Sequence, residues 1–461
     1  MASLSGALAI ATRALLNSNA GIDITSNNVA NANVEGYSRQ RPVFEESPPI
    51  QYGGLEFGNG ANLTQVQSVR DKLLEIRIQQ ETQQQADSGA YLGAMQQVQS
   101  LFGNSQGGGL ETAVNGFFDS LTQLTSNPSD PALRQTVLTA GQNVAAAFNQ
   151  LSSNLSQAQT QLDQSVSTAT DNVNQLTSEI ASLNPQIEAL QASGQNAGTL
   201  EDQRNELINK LSQLIDVHTI QSDNGFTLTA ANGAALVVGN QSFALTVQRD
   251  PSTAMLHVFS NGKDITSGIQ AGQLHGLIQA RDTSIPSYQS QLNNFAASLS
   301  NAVNSVHAAG YDINGNAGGN FFTPPPAGTA GAAANMQVAI TDSSQIAASS
   351  DGSVGSNGNA SALAAIRNQA LVNGQTATQT ISSIVFQVGN DVSQVSSRQD
   401  AQDLALQQLQ SQRSAVSGVS LDEEAANLVK YQNAFQAAAR VISTIDLLMQ
   451  TVINIGAAST S

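Results

Sequence analysis

Residues 421–452 read LDEEAANLVKYQNAFQAAARVISTIDLLMQTV, in which Leu421, Leu428, Phe435, Ile442 and Met449 recur every seven positions. Tyr431, Ala438, Ile445 and Val452 each follow one of them by three. Alternating steps of three and four line one stripe of a helix. At the other end, residues 4–29 carry the same stepping through Leu4, Leu8, Ala11, Leu15, Ser18, Ile22, Thr25 and Val29. Both stripes need a partner, so the spacing predicts terminal coiled-coil helices. One axial packing domain is expected from residues 1–50 and 416–461 together.

Composition narrows what such a domain can meet. Charged residues make up 11% of the chain, against about a quarter in an ordinary globular protein. With 34 acidic and 17 basic side chains the formal net charge is -17, which argues against a phosphate backbone as ligand, since binding one takes clustered Lys and Arg. No nucleic-acid partner is expected. The chain holds no Cys and no Trp, which excludes disulfides, thiolate metal sites and a Cys nucleophile. No charged segment followed by an apolar run and a cleavage site opens the chain, and Arg13 interrupts the position such a run would need. No continuous run of 18 apolar residues occurs, so no membrane span is expected.

Between the ends the pattern is nested. Gly36 ends the first helix, and Pro42, Pro48 and Pro49 keep the next segment extended. Helices are predicted at 68–101, ended by Gly103 and Gly107-Gly108-Gly109, and at 110–125, stopped by Asn127-Pro128. The longest helical signal runs on a heptad grid from Phe148 through Leu155, Leu162, Val173 and Ile180 to Leu190. It predicts a packed rod of roughly 60 Å, diluted by Ser and Thr and kinked near its end by Pro185. Leu200 to Leu214 restarts the pattern. Asn224-Gly225, Asn232-Gly233 and Asn261-Gly262 then punctuate short alternating runs, a hairpin signature. Helical signal returns at 285–308, followed by a Gly- and Pro-rich loop, a short strand at 336–340 and helices to the end. The fold class expected is mainly α: a long helical-bundle middle domain (51–215 with 284–415) and an inserted small antiparallel β domain (216–283), expected to be self-contained.

Reactive constellations are sparse. His218, His257, His275 and His307 are dispersed, and none lies three or four positions from another as a helical metal pair would. Asp312-Ile313-Asn314-Gly315-Asn316 imitates the start of a calcium loop, but Ala317 and Thr323 stand where Gly and a bidentate Glu are needed, so an Asx turn is the expectation. Asp422, Glu423 and Glu424 read as first-turn acids with a capping box from Ser420. Glu201, Asp202, Arg204 and Glu206 read as a solvated face with intrahelical pairs. No catalytic, metal or cofactor site is expected.

The segment Ser26 to Asn33, with Asn28, Ala30 and Asn31, followed by Gly36-Tyr37-Ser38-Arg39-Gln40, resembles the N-terminal signature of bacterial flagellar rod, hook and hook-associated proteins. Its Ser-Arg-Gln ending is similar to that of the hook-associated members that join hook to filament. Ser417 to Leu428, Tyr431-Gln432, Val441 to Thr444, Leu200 to Arg204 and His307 to Asp312 agree. The position often held by Thr is Val34 here. The resemblance implies export through the flagellar type III apparatus without a cleaved signal, and terminal helices disordered before assembly. It also implies polymerisation with copies of itself in the extracellular flagellum, with the hook protein and a second junction protein as neighbours. An export chaperone at the C-terminal helix completes the implied partners. Helices of about 28 and 35 Ser- and Asn-diluted residues are marginal alone, which fits. Another axial protein of hook, rod or filament type, a phage-tail or adhesin stalk, and a peptidoglycan-trimming enzyme are the alternatives. The missing acid/base pair weighs against the last.

Overall fold

The structure, a computed structural model, describes residues 2–34, 36–52, 55–103, 109–222, 225–230 and 233–458. Gly107, Gly108, Asn224 and Asn232 of the expected turns lie outside the described residues. Helix α1 (Ala2–Ala30) leads into strands β1 (Gln40–Glu46), β2 (Ile50–Tyr52), β3 (Leu55–Phe57) and β4 (Ala61–Ser68). β1 pairs antiparallel with β4, and β2 with β3, two nested two-stranded sheets that together make a ribbon of the described residues between 40 and 68. The domain boundary expected at residue 50 falls inside it.

Helices α2 (Lys72–Phe102), α3 (Leu110–Leu124), α4 (Pro131–Ala192) and α5 (Gly198–Leu214) follow. The rod is longer than its sequence pattern suggests: α4 has 62 residues, about 93 Å at 1.5 Å per residue. Pro128 does stop α3. Asp130 then starts a new helix at once, its carboxylate accepting from Ala132 N at 2.7 Å, with Pro131 in the first turn where its missing N–H costs nothing. Helix α4 continues through Pro185 to Ala192. Its Ser and Thr hydroxyls donate back one turn, as from Thr170 Oγ1 to Val166 O at 2.8 Å. Its stripe of Val144, Phe148, Leu155, Val166, Val173 and Ile180 is buried.

Strands β5 (Val217–Ser222), β6 (Gly225–Ala230), β7 (Ala235–Val238) and β8 (Gln241–Ser242) make a four-stranded antiparallel meander. β9 (Leu245–Arg249), β10 (Leu256–Ser260) and β11 (Lys263–Asp264) make a second sheet in the order β11-β10-β9. The insertion is not self-contained. Rod amides hold its backbone: Asn174 exchanges two bonds with Leu245 (2.8 and 2.7 Å), and Asn184 Nδ2 donates to Gly239 O at 2.6 Å. Moreover, residues 272–284 of the expected insertion belong to the bundle. Helix α6 (Gly272–Gln279) lies so close to α2 that a Cβ at Gly276 would sit 2.3 Å from Asp87 O. A π turn at Ala280–Ser284 then joins α6 to α7 (Ile285–Ala308).

The far end of the bundle is an aromatic cluster. Phe148 meets Phe295 with ring centroids 5.2 Å apart, and Phe117 meets Phe321 at 5.4 Å. The strand expected at 336–340 is reduced to one antiparallel bridge, Phe322 to Val338, closed by Thr323 N donating to Gln337 O (2.8 Å) and Ala339 N to Phe321 O (2.7 Å). Asp312 closes an Asx turn by accepting from Asn314 N and Asn316 N at 2.8 and 2.9 Å. Helices α8 (Gly358–Ala365), α9 (Ala377–Ser417) and α10 (Leu421–Ala458) complete the chain, α9 packing along α2 and α10 along α1.

Candidate functional site

Several segments converge where α1 ends, and the Gly-Tyr-Ser-Arg-Gln stretch lies at the centre. Asn28, 1% exposed, uses its whole amide. Nδ2 donates to Gln40 O (2.8 Å) and Glu424 Oε2 (3.2 Å), and Oδ1 accepts from Gln40 N and the Tyr37 hydroxyl, both at 2.9 Å. Two donors and two acceptors are thereby filled, a pattern no aliphatic or acidic side chain could supply. Burial, then the charges of Asp202 and Glu424, push the Tyr37 pKa up to about 12, so its hydroxyl stays a donor.

Arg39 ties this stretch to the break between α9 and α10. Its N–H donates to Ser417 O at 2.9 Å, Nε to Glu424 Oε1 at 2.7 Å and Nη1 to Glu423 Oε2 at 2.5 Å. Burial opposes its charge, but the hydrogen bond to Glu423 and the field of Glu424 outweigh it and raise the guanidinium's pKa. Ser38 reaches the opposite way, to the starts of α2 and α5. Its N–H donates to Asp202 Oδ2 (3.2 Å), and its hydroxyl accepts from Arg70 Nε (3.1 Å). Arg70 in turn donates to Glu201 (3.0 Å), Gly198 O (3.0 Å) and Asp202 Oδ1 (2.6 Å). Gly36, at φ +82°, turns the chain where a side chain would be strained, and its carbonyl accepts from Arg413 Nη2 at 3.0 Å. Arg413 also donates to Glu75 at 2.7 Å. The arrangement is a mechanical joint clamping the α1/α10 pair to α2, α5 and α9.

Two sequence readings are corrected here. Glu424 is a buried partner of Arg39 and Asn28 as well as a first-turn acid. Asp202 and Arg204 are not on a solvated face: Asp202 is 8% exposed and its pKa is raised by burial, while Arg204 lies over the Phe226 ring (4.1 Å) and donates to Asn184. No local spacing could reveal the first case, because Arg39 and Glu424 are 385 positions apart.

Along the α1/α10 seam, Ala11, Ala438 and Ile445 are buried. Leu4, Leu8, Leu15, Ile22, Leu428, Tyr431, Phe435, Ile442 and Met449 are half-buried. Val29, Leu421 and Val452 are exposed in the single chain. Ile24 and Asn28, off the expected stripe, are buried instead. The Tyr431 ring lies flat on Gly21, where a Cβ would stand 2.6 Å from it. Ala30 is exposed, and Asn31 donates back to Asn27 O at 2.9 Å. Away from α1, α10 exposes Val429, Val441, Leu447, Leu448, Ile453 and Ile455. Although no run of 18 purely apolar residues exists, the helical stretch Ala377–Ile455 holds a window with the mean hydropathy of a membrane span, 1.2, of which 11% is buried.

Elsewhere the titratable groups are structural. Burial lowers the pKa of His307, which accepts from Ala347 N at 3.0 Å. His275 pairs with Asp87 at 2.8 Å. Among the described residues no three His, Asp or Glu are grouped to hold a metal ion.

Comparisons with known proteins converge on one family. The helical domain of flagellar hook-associated protein FlgK matches residues 95–322, and the C-terminal domain of flagellar basal body rod FlgEFG proteins matches residues 410–455. Flagellar hook-associated protein 1 of Bacillus subtilis (strain 168) is 29% identical, over 97% of this chain and 97% of that protein. The Escherichia coli (strain K12) protein of the same name is 26% identical, over 95% of this chain and 97% of that protein. In fold, the chain is similar to the flagellar hook junction protein FlgK from Burkholderia pseudomallei, with a TM-score of 0.66 and 19% identity over 74% of this chain and 100% of that one. The rod-type match alone would fit any axial protein, but the match of the middle helices and the alignment over 97% of the chain restrict the choice: the chain belongs to the flagellar hook-associated protein 1 family.

Proposed function

We infer that this chain is a structural subunit of the bacterial flagellum that polymerises at the tip of the hook and forms the junction between hook and filament. The observation that carries this reading is the α1/α10 pair. It buries mostly small side chains against itself, keeps an apolar outer face on α10 bare, and is clamped to a long helical body at the joint around Arg39. Such a surface gains its stability by packing against neighbouring copies. The axial residues named from the heptads, with those of the joint, form the assembly element, and the middle helices and sheets face outward. The work is packing geometry, with no bond made or broken.

Export through the flagellar apparatus without a cleaved signal, followed by contact with hook protein below and a second junction protein above, fits this role. The apolar face of α10 would occupy a dedicated export chaperone in the cytosol. In a strain lacking the gene, electron microscopy should show hooks without filaments, and the wild-type gene should restore them. Filaments of normal number in the deletion strain would refute the junction role.

A further inference from the structure

Helix α10 has two apolar faces. One, through Glu424, Ala438 and Ile445, turns to α1. The other carries Val429, Val441, Leu448 and Ile455, all exposed, on the same side as the exposed cations Lys430 and Arg440. Among the described residues neither cation forms an ion pair, and Lys430 Nζ lies over the ring of its neighbour Tyr431, 5.8 Å from the centroid. Asp446 falls on a different side of the helix.

The ribbon at residues 40–68 has the complementary chemistry. Ile50, Leu55 and Phe57 at its tip are 43, 65 and 47% exposed. Glu45, Glu46 and Glu56 are exposed beside them, and the ribbon's one nearby cation, Arg41, already donates to Gln67 at 3.1 Å. The ribbon is held along α1 by Asn17 Nδ2 donating to Ala61 O at 2.6 Å, by Arg13 on Asn59 O, and by Ile10 against Gly60. Asn17 and Gly21 stand one turn apart, so the ribbon and the Tyr431 ring meet adjoining parts of α1, and Ile10, which meets Gly60, also lines a groove with Val441. Each copy therefore presents an acidic, apolar-tipped ribbon and a basic, apolar helix face.

We propose that the ribbon of one copy docks on the outer face of α10 of the next, placing Leu55 and Phe57 on Val441 and Leu448, and Glu45, Glu46 and Glu56 toward Lys430 and Arg440. The two surfaces are different patches of the chain, so the contact is head-to-tail and every copy uses both. Such an interface closes into a ring or continues as a helix. This rests on the self-assembling junction role and specifies the surfaces that role employs.

The cysteine-free chain allows a clean test. Full-length Leu55→Cys and Leu448→Cys chains, distinguished by tags, are co-expressed in the deletion strain, and isolated hooks with attached filaments are oxidised. A disulfide-linked dimer containing one chain of each kind is expected, and such a dimer can form only between copies. As a second arm, Glu45→Lys with Glu46→Lys, or Lys430→Glu with Arg440→Glu, should each abolish swimming, and the four changes together should restore it. Folding of the soluble variants, checked by circular dichroism, should be unchanged because all four positions are exposed. Chains at the hook tip without the mixed dimer, and a fourfold variant no better than either double, would overturn the docking and leave the junction role standing. Absence of the wild-type chain from the hook tip would overturn both.

Discussion

Replacing Arg39 with alanine isolates the joint energetically. Glu424, whose side chain is 2% exposed, would lose its cation and keep only the Asn28 amide at 3.2 Å. Cutting one partner of a fully buried pair costs about 3–5 kcal/mol. Arg39 is 24% exposed and its second partner, Glu423, is 62% exposed, so that outer bond contributes at most about 1 kcal/mol and the buried one falls short of the full cost. A local loss of about 2–3 kcal/mol follows, equivalent to roughly 30- to 150-fold in the opening equilibrium of the α1/α10 pair. Hydrogen exchange read by mass spectrometry should show that loss of protection in α1 near Asn28 and in the first turns of α10, with α4 unchanged. Arg39→Lys should recover part of it, since one ammonium cannot serve Glu423 and Glu424 in the guanidinium's geometry. Protection changed by less than about threefold, or lost equally in α4, would refute the reading of Arg39 as the clamp.

Gly21→Ala adds about 1 kcal/mol of helix propensity but drives a methyl into the Tyr431 ring, a cost of about 1–3 kcal/mol. Terminal protection should therefore fall, and in a Tyr431→Ala background the same change should raise it instead. The two histidines of the body predict opposite pH slopes. The hydrogen bond to Asp87 raises the His275 pKa, so its stabilisation is complete below the unfolded value of about 6.5 and is lost as pH rises through the folded one. Burial lowers that of His307, so its contribution is present above about 6.5 and is lost as pH falls through the folded value. Urea midpoints of His275→Gln and His307→Gln at pH 5 and 8 should shift relative to wild type with opposite pH dependence. Deleting 217–264 through a short linker should leave a cooperative helical body of lower stability, whereas deleting 216–283 removes α6 and should abolish cooperative melting by circular dichroism.

The legible parts of this fold are those whose information is local. The Asn261-Gly262 turn between β10 and β11 has φ of 50° and 78°, the two positive angles for which Asn-Gly is suited. The rod's heptads from Phe148 to Ile180 name mostly buried residues, since a stripe facing one neighbour repeats with the helix, while Leu190 at its end is half-buried. Its start was hidden by Asn127-Pro128, because a stop and a new N-cap lie within the same few residues. The role of Glu424 in the joint was illegible for a different reason. A carboxylate at a helix start satisfies a local rule whether or not an arginine from the other end of the chain arrives to bury it. Likewise Asp202 looks solvated until Arg70 and Ser38 are folded onto it.

The central claim is that the terminal helix pair, and not the helical body, assembles the junction. Leu428→Asp with Ile442→Asp places two charges in the half-buried seam of α10, far from the aromatic cluster of the body, where unpaired burial is costly. Secretion is assayed separately, and melting of the purified chain reports on the body. Electron microscopy of cells exporting this variant should then show hooks bare of filaments, with the body melting as in wild type. Normal filaments on those hooks would contradict the account.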